Sequence, residues 1–347
     1  MLLEIFDTGL PVTTLHLLFG LALGALFGVA AQISRFCLRR AVAGDTHERG
    51  SAAAVWLTGL AVAIGAVQGL SAYGLIEVSN HRLLSTGLPV LAIIAGGVMF
   101  GVGMVLTRGC VSRLTVLGAS GNLRALSVLV VFAIVAHATI KGVFAPVRTA
   151  LGSVQVDLPF ASLAEVPGAA WVLPIALGAA ALVLARRFGA APLHVALGAV
   201  IGLTAAAGWA GTSVLLMDEF EPLAVQSVAF TLPWTDTLFW TVASTAIPAG
   251  FGTGLIGGVL LGAFVSAALR GEFQAQSFST PAETARYSLG GALMGMGGVL
   301  AGGCTVGAGL SGAGTLSLAA LLALAAIIAG GVLAGAVQAR PVAVPAE

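Results

Sequence analysis

Between widely spaced charges this chain carries nine apolar stretches, near 14–33, 52–70, 90–106, 122–140, 169–185, 192–209, 237–268, 284–301 and 314–338. As helices rising 1.5 Å per residue, such stretches reach across a hydrocarbon layer about 30 Å thick. Of 347 residues 58% are apolar and 8% charged, against roughly 25% charged in a soluble domain. Lipid is therefore the main solvent of the surface, and the fold class is an all-α polytopic membrane protein with about nine transmembrane helices. No stretch is left over for a soluble domain, so residues 1–347 read as a single integral membrane domain. Its first half covers about 14–140, its central helices about 169–209 and its second half about 237–338. The seventh stretch contains Pro248 and Gly250, so a kink or a division into a short and a spanning segment is expected there.

Orientation follows from the basic residues. If the N-terminus is outside, twelve of the fifteen arginines and lysines, Arg340 among them, lie inside, and only Arg82, Lys141 and Arg148 lie outside. Cytoplasmic loops carry this excess, which places the C-terminus in the cytoplasm and the N-terminus on the periplasmic side. Glu4 and Asp7 stand where a signal peptide would be basic, so the first helix is expected to be retained. A net charge of +1 gives nucleic acid nothing to bind. The absence of CxxC or zinc-type spacing predicts neither a metal nor a cofactor.

The 48 glycines concentrate in the apolar stretches, which suits close helix contact or broken helices. Residues 97–110, GVMFGVGMVLTRGC, align without a gap on 291–304, GALMGMGGVLAGGC, at an offset of 194. Gly20, Gly24 and Gly28 match Gly254, Gly258 and Gly262 at an offset of 234. The difference of 40 residues corresponds to one additional helix and its loop, which reverses the direction of the later helices. The expectation is two inverted, pseudo-symmetric halves with broken or re-entrant helices. Such folds bind substrate near the midplane, because irregular backbone is tolerated at depth only where it is buried or lines a polar path.

All three cysteines sit at breaks: Cys37 in RFC, Cys110 in RGC and Cys304 in GGCT. A lone membrane cysteine is ordinarily a small buried hydrophobe, but Cys110 and Cys304 occupy equivalent repeat positions. Gly109-Cys110 and Gly303-Cys304-Thr305 each precede a sequence able to start a short half-helix, whose N-terminal N–H groups and dipole favour an anion. A thiol is a weak donor on a polarizable atom, better matched to a terminal sulfur than to a hard oxyanion. Arg108 and Arg113 flank Cys110; they draw anions to the inner mouth, or they serve only the topology rule. His137 in an apolar helix reads as a packing residue. The spans hold no carboxylate near their middle, and Thr235-Asp236 reads as a helix N-cap. A dedicated coupling carboxylate is therefore not expected, and conduction is downhill.

RFCLRRA at 35–41, GMVLTRGCVSRLTVLGASGNLRAL at 103–126 and MGMGGVLAGGCTVGAGLSG at 294–312 resemble the motifs of the YeeE/YedE family. The resemblance covers roughly 17–130 and 250–338; the central third matches only in hydropathy. It implies an hourglass fold in a bacterial inner membrane and uptake of thiosulfate. It also implies relay of the ion by S–H contacts at Cys37, Cys110 and Cys304, and a TusA-like cytoplasmic sulfur carrier as partner. One departure stands out: the first-half motif commonly has glycines where this chain has Arg108 and Arg113. That leaves open another small sulfur or selenium species, or a different acceptor. Two other classes compete with a transporter. A membrane thiol oxidoreductase would cycle its cysteines through disulfides, and an assembly subunit would tolerate replacement of all three.

Overall fold

The computed structural model describes residues 10–76, 81–217 and 223–338; Glu4, Asp7 and Arg340 lie outside the described residues. In chain order the helices are α1 (Val12–Ser34), α2 (Leu38–Ala43), α3 (Thr46–Ala72), α4 (Val90–Leu106), α5 (Val111–Ala119), α6 (Leu123–Lys141) and α7 (Ala145–Gly152). They continue with α8 (Ala169–Arg187), α9 (Pro192–Ala210), α10 (Thr231–Val242), α11 (Phe251–Leu269), α12 (Pro281–Leu300) and α13 (Leu318–Gln338). Single π-helical turns follow α9 at Gly211–Leu215 and precede α13 at Gly307–Gly312. The strands β1 (Gly87–Leu88) and β2 (Val156–Asp157) pair antiparallel.

Each of the nine predicted stretches is helical, and eight helical stretches among the described residues are long and apolar enough to cross a membrane. The ninth, α12, has 20 residues, but Glu283 and Arg286 in its first two turns make that end polar. The seventh predicted stretch is divided. The chain leaves α10 after Val242 and re-enters helix at Phe251, with Pro248 and Gly250 in the gap. Asp236 is not an N-cap, because α10 already begins at Thr231 with Phe230 at its cap; Asp236 sits in the second turn.

Lipid provides no hydrophobic force between helices, so their association relies on close packing of small residues. A Cβ placed on Gly20, Gly24 or Gly28 of α1 would come closer than 3.0 Å to the carbonyl oxygens of Phe251, Leu255 and Val259 on α11. Conversely, Gly254, Gly258 and Gly262 face the carbonyls of Leu17, Leu21 and Ala25 equally closely. Both series rise together along the chain, so α1 and α11 run parallel. The glycine match at an offset of 234 therefore marks two ridges packed against each other, not two inverted copies. Gly198 and Gly202 of α9 meet Val55 and Gly59 of α3 in the same parallel manner.

The helices of the 194 offset pack differently. Gly96 of α4 lies against Gly297 and Ala301 of α12, while Gly103 lies against Gly290 and Met294, so α4 and α12 are antiparallel. Gly97 and Gly101 of α4 support α13 through Ala323 and Ile327, and Gly291 and Gly295 of α12 support α6 through Val128 and Phe132. Phe27, Phe100, Phe132, Phe230, Leu255, Ile256 and Met294 fill the centre between these pairs, fully buried.

Gly24→Val should lower the thermal midpoint in detergent sharply, by at least about 3 kcal/mol of lost stability, since the opposing atoms are backbone and cannot turn aside. Gly152→Ala, with nothing within 4 Å of the new methyl, should leave the midpoint unchanged.

Candidate functional site

The three cysteines stand at three breaks, each immediately before a new helical segment. Cys37 is the N-cap of α2 and Cys110 that of α5, both with extended backbone, while Cys304 precedes the π turn at 307–312. All three are buried free thiols, 4%, 1% and 0% exposed in that order. The side chains of Cys37 and Cys110 are close neighbours. Cys110 also approaches the Oγ of Ser112 at 3.3 Å and the hydroxyl of the buried Thr305. Next along the chain, the Cys304 sulfur accepts the Gly307 N–H at 3.3 Å and faces the backbone N–H of Phe230. Cys37, Cys110, Thr305 and Cys304 are thus buried near one another, in that order.

Two cavities approach that line from opposite ends. One of about 480 Å³ gathers Cys37, Arg35, Arg39, Arg40, Arg108 and Arg113 around the C-terminal ends of α1 and α4. The other, about 550 Å³, is lined by Gly302, Gly303 and Gly307 at the C-terminal end of α12, and by Thr231, Asp236, His81 and Trp209. Since α4 and α12 are antiparallel, these mouths open toward opposite faces, with Cys110 and Cys304 buried between them.

Local geometry accounts for the breaks. α4 closes at Arg108, whose φ of 57° is left-handed, and Gly109 donates its N–H to the carbonyl of Met104 at 3.0 Å. This is the usual satisfaction of orphan carbonyls at a helix C-terminus. Thr107 Oγ1 bonds the Gly103 and Gly109 carbonyls, both at 2.9 Å, and thereby fixes the turn. At the equivalent position after α12 stands Gly302, with φ 78°. Gly303 is sterically required, because a Cβ there would lie 2.7 Å from the Ala308 nitrogen; Gly109 meets nothing nearer than 3.4 Å.

Residues 33–333 match the family profile described as sulphur transport. The chain belongs to that family. It is 29% identical to the thiosulfate transporter TsuA of Spirochaeta thermophila over 83% of this chain and 88% of the relative. It is 26% identical to the thiosulfate transporter TsuA of Escherichia coli K12, over 84% and 85% of the two chains. The members of the sulphur-transport family matched here are transporters rather than enzymes, and this chain is a multi-pass membrane protein of the same kind.

For this family member the arginines give one mouth its charge. Arg40 pairs with Glu48 at 2.9 Å and Arg270 with Glu272 at 3.2 Å. The Arg270 guanidinium beside Glu272 holds that carboxyl below the usual carboxylate range. Among the described residues, Arg35, Arg39, Arg108 and Arg113 take part in no ion pair. Arg113 donates only to the Ala31 carbonyl, at 3.5 Å.

Sequence reasoning missed the residues of the other mouth: Thr231 and Trp209 lie in the central stretch that carries no motif, and His81 lies in a loop between predicted helices. It also missed that Trp234 of α10 donates to Thr115 of α5 at 2.8 Å, tying that short helix in place. His137 stacks on Phe239 with ring centroids 3.8 Å apart, a packing role.

Arg108→Gly should keep or raise the thermal midpoint, since glycine takes the left-handed conformation without the roughly 1 kcal/mol penalty of a side chain. Uptake by the same variant should nevertheless weaken severalfold at low ionic strength, with the difference narrowing as salt screens the mouth. An equal loss at every salt concentration would mean that the arginine serves the fold alone.

Proposed function

We propose that this protein carries thiosulfate, or a closely related small sulfur anion, across the bacterial inner membrane into the cytoplasm. What supports this reading is the burial of three thiols at helix breaks, with one cavity at the arginine-rich end and another beside Gly302 and Gly303. The ion enters at the cavity beside Gly302 and passes Cys304 and then Cys110. It leaves past Cys37 into the arginine-lined mouth, where a TusA-like sulfur carrier accepts it. The N-terminus is periplasmic and the C-terminus cytoplasmic in this arrangement. The two halves are inverted, α9, α11, α12 and α13 corresponding to α1, α3, α4 and α6. That assignment accounts for α1 lying on α11 as α9 lies on α3.

A dianion in a water-poor constriction must be stabilised by donors already in place. Short helices starting at Cys37 and Cys110 point N–H groups into the path. The S–H groups add contacts suited to a polarizable terminal sulfur, and sulfate has no such atom to offer. Among the described residues no carboxylate is hydrogen-bonded to the thiols, and Glu48 and Glu272 in the cavity beside Cys37 pair with arginines, which fits conduction down a gradient maintained by cytoplasmic consumption.

Purified protein in proteoliposomes should take up labelled thiosulfate, with competition by analogues bearing a terminal sulfur and much less by sulfate. Cys110→Ser or Cys304→Ser should reduce uptake to below about a tenth of the original rate. That is the tenfold or greater effect expected when a hydrogen bond to an ion, about 1.5–3 kcal/mol, is impaired. Cys37→Ser should be milder. Normal uptake by the Cys110→Ser, Cys304→Ser double variant at equal expression would sink the thiol relay. The closeness of Cys37 and Cys110 favours one rival, thiol oxidation. Mass spectrometry of actively transporting membranes should find both thiols free, and a Cys37–Cys110 disulfide turning over with uptake would overturn that expectation.

A further inference from the structure

We propose that the N-terminal end of α10, with Thr231 at its first position, is the outer binding subsite for the oxygen end of the anion, holding its terminal sulfur toward Cys304. This rests on the transport reading above and specifies how the substrate is oriented before it reaches the first thiol.

Two independent observations meet at this point. α10 is twelve residues long and starts at Thr231 after the N-cap Phe230 without any side-chain cap, so the N–H groups of Thr231 and Leu232 are not taken by a capping side chain, and Pro233 has none. Such a helix end favours an anion through its N–H groups and its dipole. Thr231 is only 4% exposed, lines the outer cavity, and its Oγ1 finds no hydrogen-bond partner. The contrast within α10 is informative. Thr235, Thr237 and Thr241 turn their hydroxyls back onto the carbonyls of Leu232, Pro233 and Leu238 at 2.6 Å each. A buried hydroxyl left unpaired is costly, so its retention points to an absent partner.

The surroundings define that partner's chemistry. Thr231 Oγ1 lies beside Gly298 of α12, where a Cβ would come within 3.3 Å of it. The preceding residue, Phe230, turns its N–H to the Cys304 sulfur. Consecutive residues thus set an unpaired hydroxyl at the cavity's wall and an N–H beside the thiol, matching an anion with hard oxygens at one end and soft sulfur at the other. Asp236 lies farther along α10 in the same cavity, beside Lys141 and His137 of α6. It stands more than a turn away from the subsite.

The test is thiosulfate uptake by reconstituted protein carrying Thr231→Val, nearly isosteric but without the hydroxyl, or Thr231→Ser, which retains it. Thr231→Val should raise the half-saturating thiosulfate concentration about tenfold while the maximal rate stays within about twofold. Thr231→Ser should stay close to the original protein on both measures. An unchanged half-saturation in Thr231→Val, or a fall in maximal rate alone, would refute the subsite. Absence of thiosulfate uptake by the unsubstituted protein would bring down the transport reading, and this inference with it. Normal uptake by Cys304→Ser together with weakened affinity in Thr231→Val would remove the thiol relay and leave the subsite standing.

Discussion

A hydrocarbon layer cannot hydrogen-bond a peptide group, and the architecture of this protein depends on that restriction. Three breaks at 35–37, 107–110 and 301–304 put unwound backbone inside the helix bundle. Each is tolerable only because the released groups are recaptured locally. Phe36 donates back to Ala31 at 3.3 Å and Gly109 to Met104 at 3.0 Å, and Thr107 closes onto the turn it belongs to. Around them the glycine ridges of α1 with α11 and of α4 with α12 bring backbones so close that the cysteines at the breaks are buried, although the cavities reach the turns beside them. Tight packing and chemistry are therefore one design: without the ridges, the cysteines would stand on exposed, unsatisfied ends.

The polar groups along the proposed path are graded rather than uniform. Hydroxyl and N–H donors suited to hard oxygen lie at the outer cavity, thiols occupy the buried middle, and arginines wait at the inner mouth. A bare ring of arginines would bind sulfate as readily as thiosulfate, since charge alone does not distinguish two small dianions. Discrimination falls instead to the buried thiols, whose soft sulfur complements only a substrate with soft sulfur of its own. Because the middle carries no full positive charge, it does not trap the ion that it recognises. A site that both selects and conducts needs that compromise.

What the sequence made legible was whatever local chemistry dictates. Apolar length located every long helix, and Pro248 with Gly250 marked the division between α10 and α11. The 194-residue offset singled out Cys110 and Cys304 as equivalent. The 234-residue offset misled because glycines spaced every four residues arise for two reasons, common descent and mutual contact, and a sequence alone does not separate them. Only the parallel register of Gly24 against Leu255 and Gly258 against Leu21 settles it. Thr231 was invisible for a different reason. A threonine in an apolar stretch ordinarily bonds its own helix, and its significance lies in a missing partner, which is a property of three-dimensional surroundings.

The two mouths differ where the repeat itself differs. Arg108 aligns with Gly302 and Arg113 with Gly307, so one mouth is rich in arginine while the other is lined by no arginine or lysine and includes Asp236. On the proposed path this asymmetry changes where an anion dwells, because it lowers the anion's free energy at the arginine-lined mouth. It cannot by itself set the direction of net flow, since a fixed charge stabilises an ion arriving from either side equally. A passive path with such a mouth concentrates substrate at its inner exit without driving it inward. Directionality in the proposed mechanism must then come from an acceptor that removes sulfur at the arginine-lined end. The same cations that hold the ion there would keep it within that acceptor's reach.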